Sequence, residues 1–574
     1  MKRYLALLFY LIITIPVLAQ SSAAPHLIKK EATTQLIVKG KPFLILGGEL
    51  HNSSTSGAAY MRPIWKNMKA KNLNTVIAAA YWELVEPMEG KFDFTLLDSM
   101  ITGARKEDLH LVILWFGSWK NGYSMYAPAW VKNNTQKYPR AKDAKGNTLQ
   151  HLSAFGDATA TADARAFRAM MQHIRNIDEK EQTVIMVQVQ NEVGLFNTPR
   201  DYSDAANKAY QSPIPKDLAD YISANKGKLQ PELDSVLKIR GYKLKGTWEE
   251  VFGKSIFDDK NWKTLSHLTE ELFTVYHYAK YIGKIAAAGK EAYPLPMYVN
   301  AWIKQPGVGG AWPGKYPSGG PTPHTLDIWR AAAPAIDLIV PDIYVPDIRY
   351  TVQQYHRPGN AFFIPEVRPG ERSAHEAFWA FGQYDIFGYA PFGIDDYPAA
   401  YDPITPTYAT LQQVKDLILQ HQGKGTMAGI LVDTVQRIQR LKLGGYTIKA
   451  ELGRQSNFTN IPGLPPPPPP SVAGGIIIHT GKDEFVVIGK DYLLTFIPER
   501  ITDKSLRLDV ESIEEGQFVN GKWQVIRRLN GDEGTGGGDY GFGYAPPQPA
   551  ATLRFQKQPD GGYSILKYKI YSYK

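Results

Sequence analysis

Two glutamates sit where apolar runs give out. The stretch "VIMVQVQNEVG" (184–194) is apolar in five of its first six residues, then sets Gln188, Gln190, Asn191 and Glu192 close together. A second run, "AFFIPEV" (361–367), carries Glu366 at its end. A strand that merely entered a turn would not need an amide and a carboxyl at the rim of its apolar part. Two carboxyls meeting over one substrate suit a defined chemistry. One protonates a leaving oxygen while the other attacks the acetal carbon, as retaining glycoside hydrolysis requires of two carboxyls about 5 Å apart. Either glutamate alone reads equally well as a salt bridge or a cap. The case rests on both standing at the ends of strands that face each other.

The elements that would position them recur along the chain. Strand candidates are "PFLILGGEL" (42–50), "NTVIAAAYWE" (74–83), "LHLVILWFGSW" (109–119), "TVIMVQVQNE" (183–192), "PMYVNAW" (296–302), "IDLIVPDIY" (336–344), "AFFIPEV" (361–367) and "DIFGYAPFGID" (385–395). Helical patterns such as "ARAFRAMMQHIRNID" and "LTEELFTVYHYAKYIGKIAAAGK" lie between them. Eight buried strands alternating with helices predict an α/β fold, a (β/α)8 TIM barrel, with a doubly wound sheet as the alternative. Continuous apolar runs are what strands buried on both faces require. The barrel is expected over 30–425, with an inserted helical segment around 195–295, which is far longer than one helix needs. Beyond it, short alternating runs separated by Gly, Asn and Asp predict a C-terminal antiparallel β-sandwich over 426–574. "GLPPPPPP" puts a stiff Pro-rich loop at 463–470. "GDEGTGGGDYGFGYAP" (531–546) lacks the Lys-Ser/Thr and the helix of a phosphate cradle and reads as a hairpin loop.

In such a barrel the site lies at the carboxyl ends of the strands. The residues there are Glu49, Tyr81, Trp82, Glu83, Trp115, Trp119, Asn191, Glu192, Asn300, Trp302, Asp342, Tyr344, Glu366 and Asp395. The set is rich in carboxylates and aromatics, with no Cys and almost no His. Glu192 and Glu366 are the expected catalytic pair. Asn191, Glu49, Tyr81, Trp115, Trp119, Lys120, Asn121, Trp302 and Tyr344 are the expected substrate-binding residues. Trp115 and Trp302 read as sugar platforms or core lids, Asp342 and Tyr344 as subsite walls, and Asp395 as a loop holder. HExxH, His clusters, EF-hand loops, a GxSxG elbow and a Walker motif are all missing from the sequence, so neither a metal nor a cofactor is expected.

Composition sets the context. The chain has 574 residues, 44% hydrophobic and 21% charged, enough for a barrel plus a smaller domain. Its 33 Tyr and 12 Trp suit sugar rings as well as cores. Lys2 and Arg3 before the apolar run Tyr4–Leu18, and "VLAQ" with a cut after Ala19, read as a signal peptide over 1–19. The run is short for a membrane anchor and Pro16 interrupts it. An exported protein, periplasmic or extracellular, follows. With no cysteine it carries no disulfides or thiol chemistry. Net charge is +9, and its Lys and Arg are dispersed, which argues against nucleic acid as a partner.

"QVQNEVG" resembles the acid/base motif of glycoside hydrolase clan A, in which Asn immediately precedes the catalytic Glu. Together with "GGELHNS" and "EPMEGKFDF" it resembles glycoside hydrolase family 35, the retaining β-galactosidases, over roughly 35–400. The bacterial branch with a C-terminal sandwich, associated with plant cell-wall polysaccharides, is most similar. The resemblance implies Glu192 as acid/base, Glu366 as nucleophile and Asn191 as a partner of the sugar 2-hydroxyl. It further implies terminal β-galactosyl residues of oligo- or polysaccharides as substrate, xyloglucan side chains among them. The chain departs from the family after the second strand, where "YWELVEP" sets Glu83 and Val85 in the usual Asn and His places. It departs again after the third, where "GSWKNGYS" puts Trp119, Lys120 and Asn121 against the pocket. Those loops touch the sugar, so a β-glucosidase or arabinopyranosidase remains an alternative. A non-catalytic carbohydrate-binding protein is another.

Overall fold

The computed structural model describes residues 23–254, 269–304, 312–453, 470–500, 505–529, 550–555 and 561–574. The expected signal (1–19), most of the Pro-rich stretch at 463–470 and the Gly-rich stretch at 531–546 lie outside the described residues.

Eight parallel strands close into a barrel in sequence order: β1 (Ile45–Glu49), β2 (Thr75–Tyr81), β3 (His110–Lys120), β4 (Val184–Asn191), β5 (Met297–Trp302), β6 (Leu338–Ile343), β7 (Ile364–Val367) and β8 (Gly388–Pro391). Each is followed by a helix on the outside: α1 (Ala58–Ala70), α2 (Thr95–Lys106), α3 (Asp157–Asp178), α4 (Thr269–Ala292), α5 (Leu326–Ala332), α6 (Arg349–Tyr355), α7 (Glu371–Tyr384) and α8 (Ile404–His421). All eight strand expectations and the barrel are therefore met. The doubly wound alternative is not.

Local chemistry explains the helices. α3 buries Phe167, Met170, Met171 and Ile174, an i, i+3, i+4, i+7 stripe, and carries Asp157 in its first turn and Arg175 in its last, as the helix dipole favours. Inside the barrel, Ile45, Ile77, Val112, Leu114, Met186, Leu338, Val340 and Phe363 form one buried layer set. Leu36 and Val38, from an antiparallel sheet of His26–Lys30, Thr33–Val38 and Lys41–Phe43, join that cluster and close the end where the strands begin. The opposite end is left for polar groups. Between β4 and α4 the chain runs through short helices at Asp204–Tyr210, Lys216–Ala224, Pro231–Ile239 and Trp248–Phe252. The second and third of these are tied down where Asp327 of α5 accepts from the Tyr221 hydroxyl and from the Gln230 backbone N–H.

After α8 come β9 (Met427–Asp433), β10 (Ile438–Leu443), β11 (Tyr446–Leu452), β12 (Val472–Gly481), β13 (Glu484–Gly489), β14 (Tyr492–Pro498), β15 (Arg507–Val519), β16 (Lys522–Arg528), β17 (Ala551–Arg554) and β18 (Ser564–Tyr573). They form antiparallel sheets ordered β9-β12-β13-β18-β15-β16 and β10-β11-β14-β17. In β12 the alternation is plain. Ala473 and Ile477 face the other sheet, while Val472, Ile476 and Ile478 face the barrel helices and join their core.

That second interface is close because glycines allow it. A Cβ on Gly474 would fall on the His375 carbonyl of α7, and one on Gly429 would fall on the Trp379 carbonyl. Gly474 N–H donates to His375 Nδ1 at 3.1 Å. Asp433, at the end of β9, accepts from Arg349 and Arg372, each at 3.0 Å, and so pins the starts of α6 and α7. Gly474→Val is expected to cost about 3 kcal/mol through overpacking against a backbone that cannot yield. Thermal unfolding would reveal it as an earlier transition; an unchanged midpoint would mean that the interface gives way freely.

Candidate active site

Strand β4 does not end regularly. Gln190 (φ 66°) and Glu192 (φ 43°) both lie in the left-handed region, which costs side-chain-bearing residues about 1–3 kcal/mol each. The turn this forces aims Asn191 and Glu192 in a way a continuing strand would not. Next to it, β3 takes five steps between its Trp115–Val189 and Lys120–Asn191 pairings where β4 takes two. The extra residues bulge outward, and Lys120 returns beside Asn191.

The bulge is fixed from behind by Asp163 of α3. This buried carboxylate accepts from Trp115 Nε1 (2.8 Å), the Ser118 backbone N–H (2.9 Å), Ser118 Oγ (2.6 Å) and Gln190 Nε2 (2.8 Å). Burial nevertheless holds its pKa above the ordinary range. Sequence reasoning missed Asp163, because a helical Asp among alanines carries no mark of its partners.

Four carboxyls converge at the mouth: Glu49 from β1, Glu192 just past β4, Asp342 from β6 and Glu366 from β7. Glu192 and Glu366 are each 7% exposed, Glu49 and Asp342 2%, so the first pair lines the opening and the second the floor. Asn300 of β5 links three of the strand ends. Its Oδ1 accepts from the Glu192 backbone N–H at 2.9 Å, and its Nδ2 donates to Asp342 Oδ2 at 2.6 Å. The Tyr344 hydroxyl donates to Glu366. Asn191 Oδ1 is buried with no protein partner. The strand-end inventory contained Asn300 and Asp342; the readable signal was a polar side chain at an inward position of an otherwise apolar strand.

Among the described residues, one cation serves this cluster. The Lys120 ammonium, which donates to Asn121 Oδ1, acts on Glu49, Glu192 and Glu366 alike. Burial, with the Glu366 charge behind it, pushes Glu192 up to about 8 against the pull of Lys120. Burial and the same charge hold Glu49 and Asp342 well above the carboxylate range. Glu366 is also raised by burial, but the Tyr344 hydroxyl and Lys120 both oppose the rise. Glu366 is therefore the carboxyl best placed to carry the charge, and its charge adds to burial in raising the other three.

Other expected binding residues stand elsewhere. Trp115 and Trp119 are fully buried on the outer side of β3, which corrects their assignment to the pocket. Trp115 bonds Asp163, while Trp119 donates to the Leu152 carbonyl and packs between Tyr278 and Tyr281 of α4. Tyr81 faces the barrel interior, but its hydroxyl is engaged by the Asn52 carbonyl (2.7 Å) and Thr55 Oγ1 (3.0 Å). Trp302, 37% exposed, stands at the rim edge-on to Phe196. Glu83 pairs with Lys132 at 3.1 Å. Within "EPMEGKFDF", Glu86 accepts from Trp82 Nε1 and the Gly90 N–H and pairs with Arg165, a scaffold rather than a contact surface. Asp395 accepts from the His51 N–H and Ser54 Oγ and holds that loop.

The coupling of Glu192 to Glu366 is measurable without any substrate. With ¹³C-labelled carboxyls, the signal lost in Glu192→Gln should titrate near 8 and move down in Glu366→Gln, where the neighbouring charge is gone. A signal that does not move would mean that burial alone sets it and that the two carboxyls do not face each other.

Parts of this chain are similar to known proteins. Residues 57–227 match the model of glycoside hydrolase family 42, described as beta-galactosidase, and residues 404–538 match a domain of unknown function, DUF5597. A beta-galactosidase of Xanthomonas manihotis is 27% identical over 184 residues, which is 31% of this chain and 28% of that protein. A solved beta-galactosidase from Bacillus circulans sp. alkalophilus aligns with a TM-score of 0.43 at 15% identity, over 66% of this chain and 57% of that one. The catalytic domain of a beta-amylase from Paenibacillus polymyxa aligns at 0.44 and 10%, over 66% and 98%. The match thus spans less than a third of the curated relative and somewhat over half of the galactosidase structure. The motifs resemble family 35 and the matching model is that of family 42. At the level common to both, residues 57–227 are similar to the beta-galactosidase glycoside hydrolases.

Proposed function

We propose that this chain is an exported, retaining exo-β-galactosidase acting by double displacement. The observation that carries the reading is the pair of buried carboxyls at the mouth, Glu192 just past β4 and Glu366 on β7 with the Tyr344 hydroxyl donating to it; burial and the Glu366 charge push Glu192 up to about 8, while Tyr344 and Lys120 oppose the rise at Glu366. Two carboxyls whose surroundings push their pKa values apart are what an acid and a nucleophile require.

In the first step a Glu366 oxygen attacks the anomeric carbon and the glycosidic C–O bond breaks. The leaving oxygen takes the Glu192 proton. Tyr344 must release the attacking oxygen as the ester forms. In the second step Glu192, now a carboxylate, takes a proton from water. The hydroxide oxygen bonds to the anomeric carbon, and Glu366 departs as carboxylate. Asn191, with its unpartnered buried amide oxygen, is suited to the 2-hydroxyl, whose hydrogen bonds strengthen in the oxocarbenium-like state.

The donor sugar depends on the rim. Glu83 and Val85, in place of the family's Asn and His, are turned to Lys132 and to the core respectively. The pocket is thus built differently on that side, and a β-glucoside or an arabinopyranoside is the second reading. The signal read at 1–19 and the C-terminal sandwich support an exported enzyme on cell-wall oligo- or polysaccharides, with xyloglucan side chains as the specific proposal.

Hydrolysis of nitrophenyl β-glycosides by the chain lacking residues 1–19 tests this, with the galactoside expected to turn over. Glu366→Gly should abolish turnover, and azide should restore it as a glycosyl azide of inverted anomer. Glu192→Gln should cost about 10²–10⁴-fold on substrates with poor leaving groups and far less on activated ones. Turnover of another glycoside alone would move the donor sugar and keep the mechanism. Silence across the panel and on xyloglucan fragments would leave a carbohydrate-binding protein.

A further inference from the structure

Two of the four mouth carboxyls have no role in the double displacement. Asp342 is the more constrained of them. Its Oδ2 is taken by Asn300 Nδ2, and its Oδ1 is buried with no donor pointing at it. Its side chain bonds that of Glu192, and Glu192 returns to Asn300 through its own backbone N–H. The three residues therefore close a ring. Two carboxyl oxygens can face each other in a buried site only with a proton between them.

We propose that Asp342 is a positioning residue that remains a neutral acid throughout turnover and donates its proton as a hydrogen bond to Glu192. Asn300 fixes the direction of that bond. With Oδ2 accepting from Nδ2, Oδ1, which has no other partner, is left to carry the proton toward Glu192. The inference rests on the reading of Glu192 as acid/base and deepens it.

The arrangement explains how a dry site works with a single cation. Before reaction, Lys120 balances one anion, Glu366. When Glu366 is esterified and Glu192 has given its proton to the leaving oxygen, Lys120 again balances one anion, now Glu192. Asp342 neither gains nor loses a proton. Its hydrogen bond becomes charge-assisted at the moment Glu192 must persist as a base. The other groups facing the pair are Glu49 from β1, Lys120 from β3, Tyr298 from β5, Tyr344 after β6, Glu366 from β7 and Tyr355 from α6. Among the described residues facing the pair Lys120 is the cation, so the donor on Asp342 adds to the support a Glu192 anion has.

The test compares Asp342→Asn with Asp342→Leu on a dinitrophenyl glycoside, whose activated leaving group makes loss of the sugar from Glu366 the slow step. Asn keeps both the acceptor for Asn300 and an N–H donor for Glu192, so kcat should stay within about threefold. Leu has similar bulk and no donor. There kcat should fall about 10- to 100-fold, the range for losing one hydrogen bond to a charged group, and the acidic limb of the kcat profile should move to higher pH. A merely structural role would lower the melting temperature and leave that limb in place. If Asn loses as much as Leu, Asp342 acts as an ionised group and the inference falls. If the limb stays put in Leu, it falls as well. Should Leu not fold, Asp342→Ala replaces it with the same expectations. A wild-type chain that turns over no glycoside removes the acid/base reading itself, an outcome distinct from either.

Discussion

Asp163 decides the geometry of this site without touching it. Its two oxygens take four donors, two of them from the β3 bulge, one from Trp115 at its base and one from Gln190 at the strained end of β4. Without that carboxylate the bulge would have no reason to turn outward, and Lys120 would not return beside Asn191. The arrangement is supported in turn from α4, where the Tyr281 hydroxyl meets Ser118 Oγ at 2.7 Å. A left-handed Gln190 and a left-handed Glu192 persist because the surroundings over-determine them. The position of the catalytic candidates is thus set by a polar contact one layer outside the barrel.

Charge is the second constraint, and it follows from that placement. Four carboxyls and one ammonium share a site nearly closed to water, and burying more than one uncompensated anion there would cost far more than protonating it. Burial and mutual repulsion accordingly raise all four carboxyls above the ordinary range. Which carboxyl carries the charge depends on local donors, and Glu366 has the Tyr344 hydroxyl. By the same rule, neutralising Glu366 would remove one of the two causes that hold Glu192 protonated.

The barrel could be read from the chain because strands buried on both faces must be apolar throughout, and eight such runs stood out. That same property hid which side chains point inward. In "LVILWFGSWK", Val112, Leu114 and Phe116 face the interior while Leu111, Ile113 and Trp115 face the helices, and hydrophobicity does not separate them. The sequence therefore puts Trp115 and Trp119 at the pocket, whereas both belong to the outer layer. Lys120 is inward only because of the bulge, which depends on Asp163 some forty residues away. Glu192, Glu366 and Tyr344 were legible because polar groups at strand ends need a reason. Asn300 and Asp342 offered the same signal, but their joint role is a contact between strands that no single stretch displays.

The C-terminal sheets pose the remaining question of unity. A domain that could be detached would present a polar face to the barrel. Here the outward face of β12 and β13, with Ile476, Ile478, Val486 and Ile488, is part of the same buried cluster as Phe378 and Trp379 of α7. Glycines at 429 and 474 let the backbones meet, and Asp433 reaches across to Arg349 and Arg372, the residues that open α6 and α7. Those helices begin where the loop bearing Tyr344 and the loop after Glu366 end. The DUF5597 match starts at 404, the first residue of α8, and so takes in the last barrel helix along with the sheets. A unit of descent that cuts through the barrel rather than beside it fits a sandwich that completes the barrel's outer layer on the side of its β6 and β7 loops.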